Sequence, residues 1–339
     1  MTASKNQNLN KSPVFLTGVA GFIGFHTTRR LLEQGRYVIG VDSLSPYYDV
    51  SLKESRLKVL KESFPDTFQF FKASIEDRPE MERIWRASPE PIQQVIHLAA
   101  QAGVRYSLEN PYEYVTTNVT GHLVLLELAR HHGPLKNFVY ASSSSVYGGN
   151  TKLPFSESDR TDSPLALYAA TKKCDELMTE AYAHLFRIPA IGLRFFTAYG
   201  PWGRPDQALF IFTKKILAGE TISVFNNGHM KRDFTYIDDI VAGILGALEN
   251  PIKDTGEGSP HKIYNLGNSS LEQLMDYIQL IEDNLGKKAK IQYLPMQPGD
   301  VPAALSDIME ARRDLGFNPK TSVKEGVKNF IEWYKGYYK

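Results

Sequence analysis

The stretch VFLTGVAGFIG at residues 14–24 decides the fold of this chain. Its first residues are apolar and predict a short buried strand, and the segment from Phe22 to Glu33 predicts a helix. Between them lie three glycines with the spacing G-x-x-G-x-x-G. Because glycine has no side chain, such a turn lets the backbone approach a pyrophosphate at the positive end of the helix. Taken alone, the same glycines also fit an ordinary tight turn between a strand and a helix.

The regions that follow show a regular alternation of elements. Strand patterns at 37–42, 68–71, 95–98, 138–141 and 191–195 alternate with helical patterns at 52–63, 79–87, 112–132 and 167–186. This alternation predicts an α/β fold with a doubly wound parallel sheet of the Rossmann type and helices on both faces. Glycine, proline and aromatic residues become frequent after residue 196, and helical patterns return at 209–218, 271–285 and 324–335. These features predict a smaller C-terminal α/β substrate lobe.

An acidic residue identifies the expected dinucleotide. Asp42 ends the second predicted strand, about twenty residues after the glycines, as the dinucleotide-binding fingerprint requires. A carboxylate there accepts hydrogen bonds from a ribose 2′-hydroxyl and repels a 2′-phosphate, which favours NAD over NADP. The alternative for Asp42 is an ordinary turn residue. We predict an NAD-binding domain at 12–195, to which 233–265 returns, a substrate lobe formed by 196–232 and 266–339, and a disordered tail at 1–11.

Composition excludes several other classes of protein. The 339 residues carry 39 basic and 38 acidic side chains, a balance that predicts no general binding to nucleic acid or to an acidic membrane surface. No apolar run approaches the roughly 18 residues that a membrane helix needs. The single cysteine, Cys174, excludes an intrachain disulfide and fits a reducing, cytoplasmic location. The eight histidines lack the spacing of metal ligands, so no metal site is predicted.

Tyr168 and Lys172 lie four residues apart in the helical pattern 167–186, and therefore on one face of the helix. A free phenol has a pKa of about 10, too high for a base at neutral pH, but a nearby ammonium favours the phenolate. Tyr168 can then remove a hydroxyl proton while hydride leaves the same carbon, and Lys172 can also hold the nicotinamide ribose. Without a dinucleotide fingerprint upstream, the same pair would indicate only a solvated helix face.

Several of these segments resemble one family. TGVAGFIG (17–24), HLAAQAGVR (97–105), SSSSVYG (142–148), RFFTAYGPWGRP (194–205) and RDFTYIDD (232–239), with the Tyr-Lys pair, are similar to the NAD-dependent nucleotide-sugar epimerases and dehydratases of the extended short-chain dehydrogenase type. The resemblance covers about 13–335. The stretches at 102–112, 195–206 and 297–308 look most like the UDP-glucuronate 4-epimerases within it.

The resemblance implies a reaction. Tyr168 would take the proton of the sugar 4-hydroxyl, with Ser143 hydrogen-bonded to the same oxygen, while hydride passes to NAD. The 4-keto sugar would turn over and take the hydride back on its opposite face. The predicted cofactor contacts are Gly18, Ala20, Gly21, Phe22, Ile23, Gly24, Asp42, Ser74, Ile75, Leu98, Ala99, Ala100, Asn118, Tyr168 and Lys172. Relatives usually have Asp at the position of Ser74, and a hydroxyl is a weaker acceptor for adenine.

The predicted substrate contacts follow from the uronic acid. Its 4-keto form is a β-keto acid, and an epimerase must hold the carboxylate in the carbonyl plane to prevent loss of CO₂. Arg105 is the natural clamp because guanidinium binds carboxylate in a fixed fork, with Ser144 and Thr197 adding hydrogen bonds. The alternative for Arg105 is a surface ion pair. We also predict phosphate contacts from Arg204 and Arg232, a nucleotide pocket with Gln207, Ala208 and Phe225, and a uridine-ribose contact from Asp300, although loop residues of this kind are often only solvated.

Other functions remain possible at this point. UDP-glucuronate decarboxylases of the family carry Glu beside the catalytic hydroxyl, and dehydratases carry an Asp-Glu pair; this chain has Ser144 and Ser145. A 4-epimerase of another UDP-hexose and a non-enzymatic NAD sensor are further alternatives. The family also implies a homodimer, formed by the helices at 112–132 and 167–186 as a four-helix interface, and by analogy a role in polysaccharide biosynthesis.

Overall fold

A seven-stranded parallel sheet forms the centre of the protein in the computed structural model, which describes residues 12–338. The tail predicted at 1–11 lies outside the described residues. In chain order the strands are β1 (Val14–Thr17), β2 (Val38–Asp42), β3 (Phe68–Lys72), β4 (Gln94–His97), β5 (Asn137–Ser143), β6 (Ala190–Phe195), β7 (Thr197–Tyr199), β8 (Thr221–Val224), β9 (Lys231–Arg232), β10 (Phe234–Tyr236), β11 (His261–Leu266), β12 (Glu272–Gln273), β13 (Lys290–Tyr293) and β14 (Ala303–Ala304).

The strand order of the central sheet is β11-β6-β5-β4-β1-β2-β3, and all neighbours are parallel. The order reverses between β1 and β4, where a crevice opens at the carboxyl ends of the strands. β1, β2 and β6 are buried along their whole length, because helices cover both faces of the sheet. The predicted fold class, a doubly wound parallel sheet with a smaller lobe, is confirmed.

Twelve α-helices lie between and after these strands in the described residues 12–338. They are α1 (Phe22–Glu33), α2 (Val50–Ser63), α3 (Arg78–Arg86), α4 (Tyr106–Glu109), α5 (Pro111–Tyr114), α6 (Gly121–His131), α7 (Leu167–Phe186), α8 (Ala208–Ala218), α9 (Ile237–Glu249), α10 (Leu274–Leu285), α11 (Met309–Leu315) and α12 (Val323–Tyr337). A membrane-spanning helix would have to be long and uniformly apolar, and within 12–338 the structure contains none.

The helix predicted at 112–132 is interrupted. α5 passes into a π-helical stretch, Val115–Thr120, before α6 begins. The wider turn carries Asn118, whose side chain bonds both the N–H and the carbonyl of Gln101 at 2.8 and 3.0 Å. Widened turns of this kind are common beside functional sites, and here the turn ties the helix to the loop after β4.

A helix and a strand join the central sheet from the later part of the chain. α9 packs against α1, β5 and β6, and β11 pairs with β6 from Ala190 to Phe195. Neither element is predicted from the sequence, because the run 240–248 of α9 contains no charged residue and fits a buried helix or a buried strand equally. The division into two domains stays a prediction, although α9 lies inside the span 233–265 expected to return and β11 ends one residue beyond it.

The smaller lobe covers the carboxyl edge of the sheet. It contains short sheets formed by β10 with β7, by β12, β9 and β14, and by β13 with β8. α8 and α12 pack on either side of α10. Phe234 and Tyr277 stack with ring centroids 4.0 Å apart at the centre of this lobe. The lobe therefore forms a packed wall opposite the strand ends.

Candidate active site

A cavity of about 1430 Å³ lies between the sheet edge and the smaller lobe. On the sheet side it is reached by residues at the ends of strands: Gly18 after β1, Asp42 ending β2, Leu98 after β4 and Ser143 ending β5. The smaller lobe contributes residues of β7, β8, β9, β10 and β14. This position at the reversal of strand order is where open α/β sheets bind their ligands.

The glycine-rich turn can exist only with glycine at its key positions. Gly18 has a φ of +81°, and a Cβ there would lie 2.7 Å from the Ala99 nitrogen. A Cβ on Gly24 would overlap the carbonyl oxygen of Gly18. The backbone of the turn is thereby brought against both α1 and the strand end of β4.

The N-terminus of α1 opens into the cavity without an internal partner. Gly21 is its N-cap, provides no side-chain cap, and no acidic residue lies in the first turn. The N–H groups and the helix dipole are therefore directed at whatever fills the cavity, which suits the pyrophosphate of a dinucleotide. Gly21, Phe22 and Ile23 all line this part of the cavity, so the residues present fit NAD.

Asp42 fixes the other end of the expected dinucleotide site. Its carboxylate accepts the N–H of Ala20 at 3.0 Å and the N–H of Leu44 at 2.8 Å. A carboxylate has about four acceptor positions, so two remain for ribose hydroxyls. Ser74, Ile75, Leu98, Ala99 and Ala100 continue the lining on this side, as predicted from sequence.

Two predicted cofactor contacts do not line the cavity. Ala20 is fully buried beneath the turn, and its N–H is taken by Asp42. Asn118 is 1 % exposed, with its amide bonded to Gln101 and to the Thr171 hydroxyl at 3.0 Å. Both residues therefore support the walls of the site from behind.

Tyr168 and Lys172 both line the cavity from the first turns of α7. The Tyr168 ring packs edge-on against Tyr114 with centroids 6.0 Å apart. Lys172 is 2 % exposed, and its Nζ lies 3.0 Å from the Oδ2 of Asp175, which is completely buried. The ammonium is thus held at the base of the cavity on the same helix face as the phenol.

The helix that carries the pair is anchored to the sheet by a second buried pair. Glu176 bonds Arg194 of β6 through both oxygens, at 2.8 and 2.9 Å. The Ser142 hydroxyl of β5 donates to the same carboxylate at 2.7 Å. Because these groups are almost completely buried and mutually paired, they fix α7 against two central strands.

Replacing Asp175 by asparagine should change how stability depends on pH. Burial, partly offset by Lys172, raises the pKa of Asp175 from 3.8 to about 6. A carboxyl with a raised pKa contributes stability that is complete below the unfolded-state pKa and is lost as pH rises through the folded-state value. The unfolding free energy of Asp175→Asn relative to wild type should therefore rise by roughly 2 kcal/mol between about pH 4.5 and about pH 7.5.

Urea titrations at the two pH values measure this difference. Asp66→Asn, at an exposed position, is the matched control and should show no such change. If the unfolding free energies of Asp175→Asn and wild type differ by the same amount at both pH values, Asp175 does not titrate in this range.

The serine row forms one wall beside Tyr168. Ser143 accepts hydrogen bonds from the Ser145 N–H at 3.2 Å and from its hydroxyl at 3.0 Å. Ser142, Ser143, Ser144 and Ser145 all line the cavity, and the Ser142 hydroxyl donates to Glu176. The Ser143 hydroxyl keeps its own proton available for a ligand oxygen, and none of the four lining positions is acidic.

Arg105 lies at the exposed side of the same cavity. Its guanidinium stands over the Phe225 ring, 4.9 Å from the centroid. Within 12–338 no acidic group lies within salt-bridge distance of it, so the surface ion pair considered as an alternative is not formed. Thr197 and Ser144 also line this region. A free guanidinium beside hydroxyl groups is suited to bind a carboxylate.

The remaining predicted substrate contacts line the smaller lobe. Arg232 and Asp300 form an ion pair at 2.5 Å, so the predicted phosphate and ribose contacts are partners of one another. Arg204 pairs with Asp206 at 2.5 Å. Gln207 and Ala208 lie at the N-terminus of α8, with Phe225 nearby in the lining.

Sequence reasoning missed three further lining residues. Lys53 is 6 % exposed, lines the cavity and donates to the Ser45 carbonyl at 2.7 Å. Tyr47 and Asp206 meet across the cavity at 3.0 Å. Lys53 and Tyr47 lie outside the motifs, and Asp206 ends the stretch 195–206 without a predicted role there. Only the fold brings the three residues together at the site. Within the described residues no cluster of three or more metal-ligating side chains is present.

Comparisons with known proteins agree over nearly the whole chain. The family model for GDP-mannose 4,6 dehydratase matches residues 15–330. A probable UDP-glucuronate 4-epimerase of Rhizobium meliloti (strain 1021) is 46% identical over 339 residues, covering 96% of this chain and 97% of the relative. UDP-glucuronate 4-epimerase 2 of Arabidopsis thaliana is 45% identical over 348 residues, covering 100% of this chain and 79% of the relative.

Solved structures show the same likeness. The UDP-glucuronic acid 4-epimerase of Bacillus cereus, in complex with UDP-glucuronic acid and NAD, superposes with a TM-score of 0.86 at 32% identity. The match covers 96% of this chain and 100% of that structure. The UDP-glucose 4-epimerase of Thermotoga maritima, with UDP-glucose, superposes with a TM-score of 0.85 at 32% identity, over 96% and 100% of the two chains.

Proposed function

The chain belongs to the short-chain dehydrogenase family whose model describes GDP-mannose 4,6 dehydratase, and we propose that within it the protein is an NAD-dependent UDP-glucuronate 4-epimerase. It interconverts UDP-glucuronate and UDP-galacturonate through a 4-keto intermediate and is therefore an isomerase. Relatives of that name and a neighbour solved with UDP-glucuronic acid and NAD confirm the predictions of family, activity and cofactor.

One observation carries the proposal. A single cavity contains the glycine-rich turn with Asp42, the Tyr168–Lys172 pair, and the unpaired guanidinium of Arg105. The first feature suits a dinucleotide, the second a proton transfer coupled to hydride transfer, and the third a carboxylate. A uronic acid on a nucleotide is the substrate class that uses all three.

One side chain transfers the proton, and the others bind and orient the substrate and cofactor. NAD held by the glycine-rich turn and Asp42 would supply the acceptor for the C4 hydride and its donor for the return. Tyr168 removes the proton of the 4-hydroxyl and gives it back at the end, which keeps the net reaction an isomerisation. Lys172, on the same helix face, would hold the nicotinamide ribose, and the Ser143 hydroxyl holds the reacting oxygen. Arg232 and Arg204 bind the diphosphate, about which the keto sugar turns to present its other face.

The missing acid beside the catalytic hydroxyl separates this function from its closest alternative. A decarboxylase of the family would carry Glu where this chain has Ser144 or Ser145. Ser144, Thr197 and Arg105 instead supply donors that hold the sugar carboxylate in the plane of the 4-keto group. In that plane the bond to CO₂ does not overlap the carbonyl π system, and the carboxylate is retained.

Incubating the purified protein with UDP-glucuronate and following the products by NMR tests the proposal. UDP-galacturonate is expected. A UDP-pentose with CO₂ would identify a decarboxylase instead. Conversion of only UDP-glucose or N-acetylated sugars would overturn the uronate assignment but leave 4-epimerisation in place, and no turnover of any sugar would favour an NAD-binding protein without catalysis.

Replacing Arg105 by alanine should raise the proportion of decarboxylated product by about tenfold. The KM for UDP-glucuronate should also increase by about ten- to a hundredfold, since a hydrogen bond to a charged group is worth about 1.5–3 kcal/mol. NMR product ratios and initial rates measure the two effects. Arg160→Ala removes an exposed arginine that is not among the residues lining the cavity and serves as the control. An unchanged product ratio would contradict the clamp.

The exposed apolar side chains of α5 to α7 support a homodimer. Tyr112 is 84% exposed, and Leu177 and Leu185 of α7 are 59% and 66% exposed. Large apolar groups grouped on one face commonly mark a protein interface. The homodimer through 112–132 and 167–186 therefore stays our proposal, which the mass of the particle in solution tests. Cytoplasmic location and supply of a polysaccharide precursor also stay predictions.

A further inference from the structure

Three side chains form a bridge across the cavity. The Tyr47 hydroxyl donates to Oδ2 of Asp206 at 3.0 Å. Arg204 forms a bidentate ion pair with the same carboxylate, with Nε 3.0 Å from Oδ1 and Nη2 2.5 Å from Oδ2. All three residues line the cavity. The carboxylate of Asp206 is therefore the centre of the bridge and is bonded from both sides.

The bridge joins parts of the chain that belong to different sides of the site. Tyr47 lies in the loop that follows Asp42, on the dinucleotide side. Arg204 and Asp206 lie in the segment between β7 and α8, on the side of the smaller lobe. The Arg204 guanidinium also reaches the carbonyl of Ala102 in the loop after β4, at 3.5 Å. These are the segments that must separate if the cavity is to open.

Tyr47 is held in place by its own surroundings. Its ring packs against Tyr106 with centroids 4.7 Å apart. The Tyr47 hydroxyl packs directly against Gly103, because a Cβ added to this glycine would lie 2.8 Å from the hydroxyl oxygen. Burial, together with the Asp206 charge, raises the pKa of Tyr47 to about 12, so the hydroxyl remains a donor at physiological pH. The bridge is thus preformed on the dinucleotide side.

We propose that Asp206 and Tyr47 are positioning residues that hold Arg204 across the cavity and so retain NAD while the nucleotide sugar exchanges. The inference rests on the proposed function, because an epimerase returns hydride to the same cofactor and profits from keeping it between turnovers. Asp206 fixes the direction of the Arg204 guanidinium. Tyr47 connects that ion pair to the loop beside Asp42, on the dinucleotide side.

The rate of NAD release tests the bridge directly. The full-length protein is loaded with isotope-labelled NAD, and loss of label is followed in excess unlabelled NAD without any sugar present. Tyr47→Phe removes one hydroxyl and should release NAD about ten times faster, since it loses a hydrogen bond to a charged group. Asp206→Asn should release it faster still. Tyr37→Phe is the matched control, because its hydroxyl bonds Gln69 outside the cavity and should leave release unchanged.

The outcomes separate this inference from the proposed function. Release at the wild-type rate in both bridge variants would overturn it. Unchanged NAD release together with a raised KM for UDP-glucuronate would also overturn the inference. That result would mean that Arg204 binds the sugar nucleotide and does not retain NAD. NAD release is measured without sugar, so it still tests the bridge if UDP-glucuronate proves not to be a substrate. Thermal unfolding of each variant verifies that a faster release comes from folded protein.

Discussion

Replacing Tyr168 by phenylalanine should reduce turnover of UDP-glucuronate by about a thousandfold while NAD remains bound. In the proposed mechanism the phenol oxygen removes and returns the proton of the 4-hydroxyl, and general acid–base catalysis contributes about 10² to 10⁴ in rate. The ring itself should stay in place, because its contact with Tyr114 does not involve the hydroxyl. The loss should therefore be in kcat, with the KM for the sugar nucleotide little changed.

Initial rates with UDP-glucuronate, together with the NAD content of the purified variant, measure this effect. Tyr182→Phe is the matched control: it lies on the same helix and outside the cavity, and its hydroxyl bonds Glu127 at 2.6 Å. Activity of Tyr168→Phe within tenfold of wild type would exclude Tyr168 as the base. Loss of NAD together with activity would instead assign the tyrosine a role in cofactor binding.

Replacing Gly24 by alanine should lower the affinity for NAD by at least about a hundredfold. The new methyl group would overlap the Gly18 carbonyl oxygen, which is backbone and cannot swing away. The turn is further fixed by the N–H of Gly18 bonded to Val41 at 2.7 Å and that of Gly21 bonded to Gly18 at 2.9 Å. Relief therefore requires the N-terminus of α1 to move, and a displacement of the pyrophosphate site costs several hydrogen bonds at once.

Calorimetric titration with NAD and a thermal unfolding curve measure the consequence. Gly336→Ala, with nothing within 4 Å of the added carbon, is the control and should bind NAD as wild type does. Bound NAD at the wild-type level in Gly24→Ala would mean that the turn tolerates a side chain. The phosphate site would then have to be sought away from α1.

Local patterns were sufficient where the sequence itself determines an element. α1 and α7 have the bounds predicted for them, Phe22–Glu33 and Leu167–Phe186, because both alternate apolar and polar faces. The run 240–248 of α9 contains no charged residue, and β11 becomes recognisable only by pairing with β6. A short apolar run of this kind fits a buried helix and a buried strand equally, so the sequence alone does not assign it.

The site was predictable to a similar extent. Residues in motifs, such as Gly18, Asp42 and Tyr168, lie in the lining because their motifs encode a local geometry. Tyr47 and Asp206 are separated by 159 positions in the chain, and no local sequence pattern around either residue predicts their contact. Ala20, predicted as a cofactor contact, is buried beneath the turn, because position within a motif does not reveal which way a residue faces.

The return of the chain to its first sheet restricts how this protein can be divided. A fragment ending at residue 195 would lack α9 and β11. The edge of β6 that pairs with β11 would then be open, and the face of β5 and β6 that α9 covers would be exposed. Such an edge invites aggregation, so neither half should survive proteolytic separation or recombination with a relative. Exchange of a contiguous cassette that ends at residue 195 should therefore give an unstable chain. Point substitutions in the cavity lining keep the pairing of β6 with β11 and are the better way to alter sugar preference.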